Sequence, residues 1–161
     1  GEFQESLENG SLMIRVGVNG AKEYRCKILA NLWSVDENVP THIADWTGVI
    51  KPGHQFIPLT FFGKIFRDEG YEGKFRLTDL RGTCDNLPFP PSWLDDPTKV
   101  EEKSRAPQTM NEPVTLYFPF TPRTYTTSRE YDNREFSDAV WQSAQKDLRT
   151  KALETALSKQ L

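Results

Sequence analysis

Histidine and cysteine are scarce in this chain, with two of each: His42, His54, Cys26 and Cys84. Neither histidine belongs to a His-Glu-x-x-His pair and no Cys-x-x-Cys accompanies them, so the spacings that build a zinc site are missing. Two cysteines are also too few for a disulfide framework. The Gly-x-Ser-x-Gly turn of a serine hydrolase and the phosphate-cradling Walker loop are absent as well. The adjacent acidic pairs Asp36-Glu37, Asp95-Asp96 and Glu101-Glu102 lack the alternating aspartates of a calcium loop. No metal and no cofactor are expected. No apolar run is long enough to cross a bilayer, so membrane insertion is not expected either. The formal net charge of −3 offers no attraction to nucleic acid or to an anionic membrane. No secretory leader is legible at the start. Because Gly1-Glu2-Phe3 reads like a cloning-site remnant, that excludes nothing.

What the chain does have is aromatic residues, proline and glycine. With 12% aromatics, 11 Pro and 10 Gly in 161 residues, it has the balance of one domain of strands and turns. The stretch 56–66, Phe-Ile-Pro-Leu-Thr-Phe-Phe-Gly-Lys-Ile-Phe, is apolar on both sides of an extended chain, while Pro58 and Gly63 penalise a helix. It predicts a strand buried on both faces in the middle of the structure. Residues 1–10 are polar and acidic and are expected to form a flexible tail or cloning remnant. Residues 11–18 alternate like a half-buried strand, and Asn19-Gly20 predicts a hairpin into a partner strand over 24–33. That partner changes phase between Ile28 and Leu29, the mark of a bulge. Residues 73–84 alternate until Asp79 breaks the phase. Val114, Leu116, Phe118 and Phe120 share one face of a late strand that Pro119 ends or holds on an edge. Short strands between Gly, Pro and Asn turns over residues 11–132 predict an antiparallel β-sandwich, immunoglobulin-like or a similar Greek key.

Two segments depart from this pattern. Residues 86–112 are rich in proline and then in charge, with no periodicity, and read as a surface excursion that is partly polyproline II. Phe89 and Trp93 lie in it with few apolar neighbours. They either fold down as plugs over the sandwich or form an exposed contact patch for a protein or sugar, which makes them candidate binding residues. Residues 133–161 read as a long C-terminal α-helix, with Asp132 as N-cap and Glu135 completing a capping box. Val140, Trp141, Ala144, Leu148, Ala152 and Ala156 form a stripe expected to pack on the domain. Leu153, Leu157 and Leu161 fall on another side and are candidate contacts for another chain, including self-association with a second copy.

Cys26 and Cys84 sit in or beside predicted strands and read either as a bridge or as two buried thiols. A bridge would imply an oxidising compartment. A nucleophile made of Cys84 and one histidine is an arrangement that spacing alone leaves open. Missing catalytic motifs and a sandwich scaffold together set the functional expectation. It is a non-enzymatic binding or accessory module recognising a protein partner outside the cytoplasm, periplasmic or secreted: an adhesion, secretion-apparatus or inhibitor component. A cytoplasmic location stays open. The alternatives are a carbohydrate-active enzyme or enzyme subunit using loop carboxylates, and a structural assembly subunit.

Overall fold

The computed structural model describes residues 2–105, 115–117, 123–140 and 144–160. Two antiparallel sheets pack against each other, and one helix follows at the C-terminal end. The first sheet is built from β1 (Phe3–Glu8), β2 (Ser11–Gly20) and β5 (Gly53–Phe61), side by side in that order. In the second, β4 (Val39–Ile50), β3 (Tyr24–Ser34) and β6 (Phe75–Asp85) are neighbours. The far edge of β6 takes two short strands, β7 (Thr115–Tyr117) and β8 (Tyr125–Thr126). The chain is thus the β-sandwich with a C-terminal helix that its alternation predicts.

Residues 3–8 are not a tail. They pair with β2 along their whole length, Phe3 opposite Val16 and Glu8 opposite Ser11. Asn9-Gly10 is the connecting turn, with φ of 50° and 74°, the left-handed values that a two-residue hairpin requires. The hairpin expected at Asn19-Gly20 is not made. Both edges of β2 are already taken, by β1 and β5, so the chain crosses to the other sheet, where β3 pairs with β4 and β6. The phase change expected at Ile28–Leu29 does not occur either, because the even-numbered residues 26–34 are all buried. The irregularity lies on β6. Arg81 faces Leu29 and Thr78 faces Asn31, which leaves Asp79 and Leu80 as a bulge with Asp79 at φ 55°. Asp79 Oδ2 accepts from Asn31 Nδ2 (2.9 Å) and Thr78 Oγ1 (3.2 Å) and so fixes that turn.

The stretch 56–66 is divided between two elements. β5 ends at Phe61, and helix α1 (Gly63–Glu69) follows. Among the described residues β5 pairs with β2 alone, so it is an edge strand. Pro58, which cannot donate a ladder hydrogen bond, lies on it as an edge strand allows. Ile57, Leu59 and Phe61 are buried, while Phe56 and Pro58 are half-buried on the opposite face. One face covered, not two, corrects the expectation of a strand buried on both sides. Gly63 lies against the Gly10 carbonyl so closely that any Cβ would collide, and this contact anchors the start of α1. The helix then delivers Phe66 to the core, where its ring stacks on Phe136 (4.0 Å) and meets Phe75 edge-on (4.8 Å). Leu12, Ile14, Val16, Leu32, Leu77 and Tyr131 close around them.

Phe136 belongs to the segment predicted as helix. The capping box of Asp132 and Glu135 does form, but it caps a single 3-10 turn, Asn133–Glu135. The long helix, α3, runs over Ala144–Gln160 only. Its expected packing stripe is not laid on the sandwich: Val140 is 52% and Leu148 69% exposed, and Ala152 and Ala156 are exposed too. Phe136 fills the core beside Phe66 and Phe75 from the capped turn ahead of the helix. Trp141 and Leu161 lie outside the described residues. The proline-rich segment is folded where it is described. Pro91–Asp95 and Pro97–Lys99 are 3-10 turns leading into helix α2 (Val100–Arg105), each opened by a proline whose fixed φ suits the first helical position. The rest of that segment, 106–112, lies outside the described residues, as do Val114, Phe118 and Phe120.

Candidate functional site

Cys26 and Cys84 stand directly opposite each other on β3 and β6, with Cα atoms 4.0 Å apart and sulfurs at bonding distance. Both are buried among Ile28, Ile50 and Ile57. A bonded sulfur is no nucleophile, so the cysteine–histidine pairing is gone. His42 is instead a packing residue. Its ring meets Phe61 and Phe66 edge-on (5.3 and 4.8 Å), and Nδ1 lies 2.9 Å from Thr41 Oγ1. Burial pushes its pKa down to about 4. His54 is exposed at the start of β5, edge-on to Phe56. Among the described residues no group of three His, Cys, Asp or Glu could hold a metal ion.

One open cleft of about 390 Å³ gathers five carboxylates, Asp36, Glu72, Glu130, Asp132 and Glu135, around Gly73 and Tyr131. Gly73, at φ 91°, has the Asp36 carboxylate where a Cβ would be. Asp132 pairs with Arg134 (3.0 Å), whose side-chain and backbone hydrogen bonds hold its carboxyl down at about 2. Glu135 pairs with Arg129 (3.1 Å) and accepts the Asp132 amide (2.8 Å), which keeps it below the ordinary range too. A catalytic acid needs the opposite shift. Asp36, from one of the acidic pairs, is here; Asp95-Asp96 and Glu101-Glu102 are not among the lining residues. The grouping joins residues from the 36, 72 and 130–135 regions, which no spacing rule connects.

Behind this cleft the Tyr131 hydroxyl points to Glu5 Oε2 (2.5 Å), while Glu5 Oε1 accepts from Tyr125 (2.6 Å) and from the Ser128 amide. Glu5 is on edge strand β1, opposite Ile14 and therefore on its inward side. Phe3 stacks on Tyr125 (4.9 Å) beside it. This clasp ties the first strand to the segment after residue 123. Burial opposes ionisation of Glu5, but the Ser128 amide and the two tyrosine hydroxyls outweigh it and lower the pKa. Burial and the Glu5 charge raise Tyr125 to about 12.

Phe89 and Trp93 come together as a parallel pair, centroids 6.2 Å apart, with Lys99 Nζ over the Trp93 ring (5.4 Å). Both are half-buried, and Ser92 Oγ donates to Glu23 (3.0 Å), which ties their turn to the β2–β3 connection. They pack on each other and on Lys99, neither deep plugs nor a bare platform. α3 is the contrast. Every described side chain over 147–159 is exposed, with Leu153 at 58% and Leu157 at 63%.

No family model, curated protein or solved structure matches the chain.

Proposed function

We propose that this protein is a binding or accessory module that works outside the cytoplasm and docks on a protein partner through α3. The observation that carries this reading is the exposure of Leu153 and Leu157, 58% and 63%, on a helix that buries no described side chain. Helices in proteins draw most of their stability from tertiary packing, and α3, 17 residues long, buries no described side chain on the sandwich. A groove on a partner supplies that packing and reads leucines at helical spacing. Each leucine fully covered contributes about 1.5–3 kcal/mol. The Cys26–Cys84 pair supports an oxidising compartment. The immunoglobulin-like description of the sandwich belongs to the same reading and rests on its two facing antiparallel sheets.

Cross-linking followed by mass spectrometry in the source cell, on the natural chain and on a Leu153→Glu/Leu157→Glu variant, tests it. The partner cross-links of residues 144–160 should vanish in the variant. Equal cross-linking would sink the helix as the docking element. A second copy of the chain is one such partner, and sedimentation of the two proteins reads self-association directly.

The acidic cleft favours a second reading, an enzyme acting on carbohydrate through loop carboxylates. It predicts glycan hydrolysis that Glu72→Gln and Glu130→Gln each reduce at least tenfold. The depressed Asp132 and Glu135 carboxyls count against it, as neither is held protonated for acid work.

A further inference from the structure

We propose that Asn9 is an N-glycosylation site, filled before the chain folds. The proposal rests on the extracytoplasmic reading above. Of the seven asparagines, only Asn9 is followed two positions on by Ser or Thr with a residue other than proline between, in Asn9-Gly10-Ser11. The structure sets this triplet at the tip of the β1–β2 hairpin, where Asn9 is exposed in a left-handed turn. A bulky sugar there meets solvent, as such modifications require.

The other two residues of the triplet are engaged. Ser11 is buried, and its Oγ accepts the Gly63 amide (2.9 Å). The Gly10 carbonyl accepts the Ser137 amide (3.0 Å), and a Cβ on Gly10 would strike Ser137. A transferase that must read the serine hydroxyl along an extended chain finds neither in the folded protein. The reaction therefore precedes docking of the hairpin on Gly63 and Ser137. In it, Asn9 Nδ2 bonds to the anomeric carbon of a lipid-pyrophosphate-linked oligosaccharide. The bond from that carbon to the pyrophosphate oxygen breaks, the lipid pyrophosphate leaves with the electron pair, and one amide proton goes to a base.

Intact-mass measurement before and after endoglycosidase digestion, on the full chain from its source, is the test, with a parallel sample secreted by a eukaryotic cell. Both samples should carry a mass increment that digestion removes. In the secreted protein Asn9→Asp, which keeps an Asp-Gly hairpin, should abolish the increment. Ser11→Thr, which keeps the hydroxyl, should retain it. Incubated with transferase and lipid-linked oligosaccharide, reduced and denatured chain should be modified and folded chain should not. An unmodified source protein with Cys26 and Cys84 oxidised overturns the site and leaves the compartment reading standing. An unmodified protein with free thiols overturns both. A glycan that survives Asn9→Asp places the modification elsewhere, and equal modification of the folded chain overturns the timing.

Discussion

His42 is held neutral by its surroundings, and that ties stability to pH. Above pH 6.5, its ordinary value, the folded and unfolded states both keep it neutral, and it has no effect. From there down to about pH 4 only the unfolded chain takes up the proton, so stability falls; below about 4 the loss levels off. At about 1.4 kcal/mol per unit the whole loss is on the order of 3 kcal/mol. Urea melts across this range should show it for the natural protein and not for His42→Leu; an unchanged slope in the variant would assign the loss to other groups. Glu5 acts lower down. Its folded pKa is depressed, so its contribution is present above the ordinary value of 4.5 and is lost as pH falls through the folded value. Glu5→Gln should flatten that acid limb and cost about 1 kcal/mol at neutral pH, discounted because the group is partly exposed. Hydrogen exchange should then quicken first over residues 125–131. Neither role is legible in the sequence, where Glu5 is one acid in a polar opening segment. Its partners Tyr125 and Tyr131 lie 120 and 126 positions away.

Among the elements, α3 and the turn before it divide the work that the sequence assigns to one long helix. Phe136→Ala should destabilise the domain by about 3–5 kcal/mol, as other buried aromatic truncations do. A chain ended after Val140 should melt where the full chain melts. Thermal melts of the two proteins decide between them. If the shortened chain unfolds early, α3 contributes to the fold; if Phe136→Ala is silent, the aromatic cluster is not the centre of the core. Strands were the legible part, because alternation is a local property: β2, β3 and β6 all follow from their own residues. Pairing was not. The two Asn-Gly dipeptides carry the same local signal, and Asn9-Gly10 closes a hairpin only because β1 has a partner there, while β2 already holds β1 on one edge and β5 on the other along residues 12–16 and leaves a returning strand no edge to pair with. The helix stripe misled for a related reason. Periodicity states which residues share a side of a helix but not whether the domain has room for that side.

Over the whole molecule, the Cys26–Cys84 bond spans 58 positions and joins the two middle strands of the larger sheet. A closed loop of that length is worth about 4 kcal/mol in the chain-entropy account, within a usual range of 2–4. Cys26→Ala/Cys84→Ala should lower stability by that order in denaturant melts, and the unreduced natural protein, unfolded, should label with no thiol reagent. Two labels per chain would show that the pair is not bonded in solution. The sequence by itself determined the class: alternating apolar residues and frequent turns favour facing sheets, because each strand has one apolar side to bury. It also determined that the capping box at Asp132 would form, since every group in it lies within four residues. Only the tertiary structure decided the rest. Which strand pairs with which, the clasp on Glu5, the gathering of five carboxylates around Gly73 and the release of α3 from the sandwich all depend on groups far apart in the chain. Such groups meet only after the sheets have packed, and whether a face is covered or left open depends on what else has already filled the space beside it.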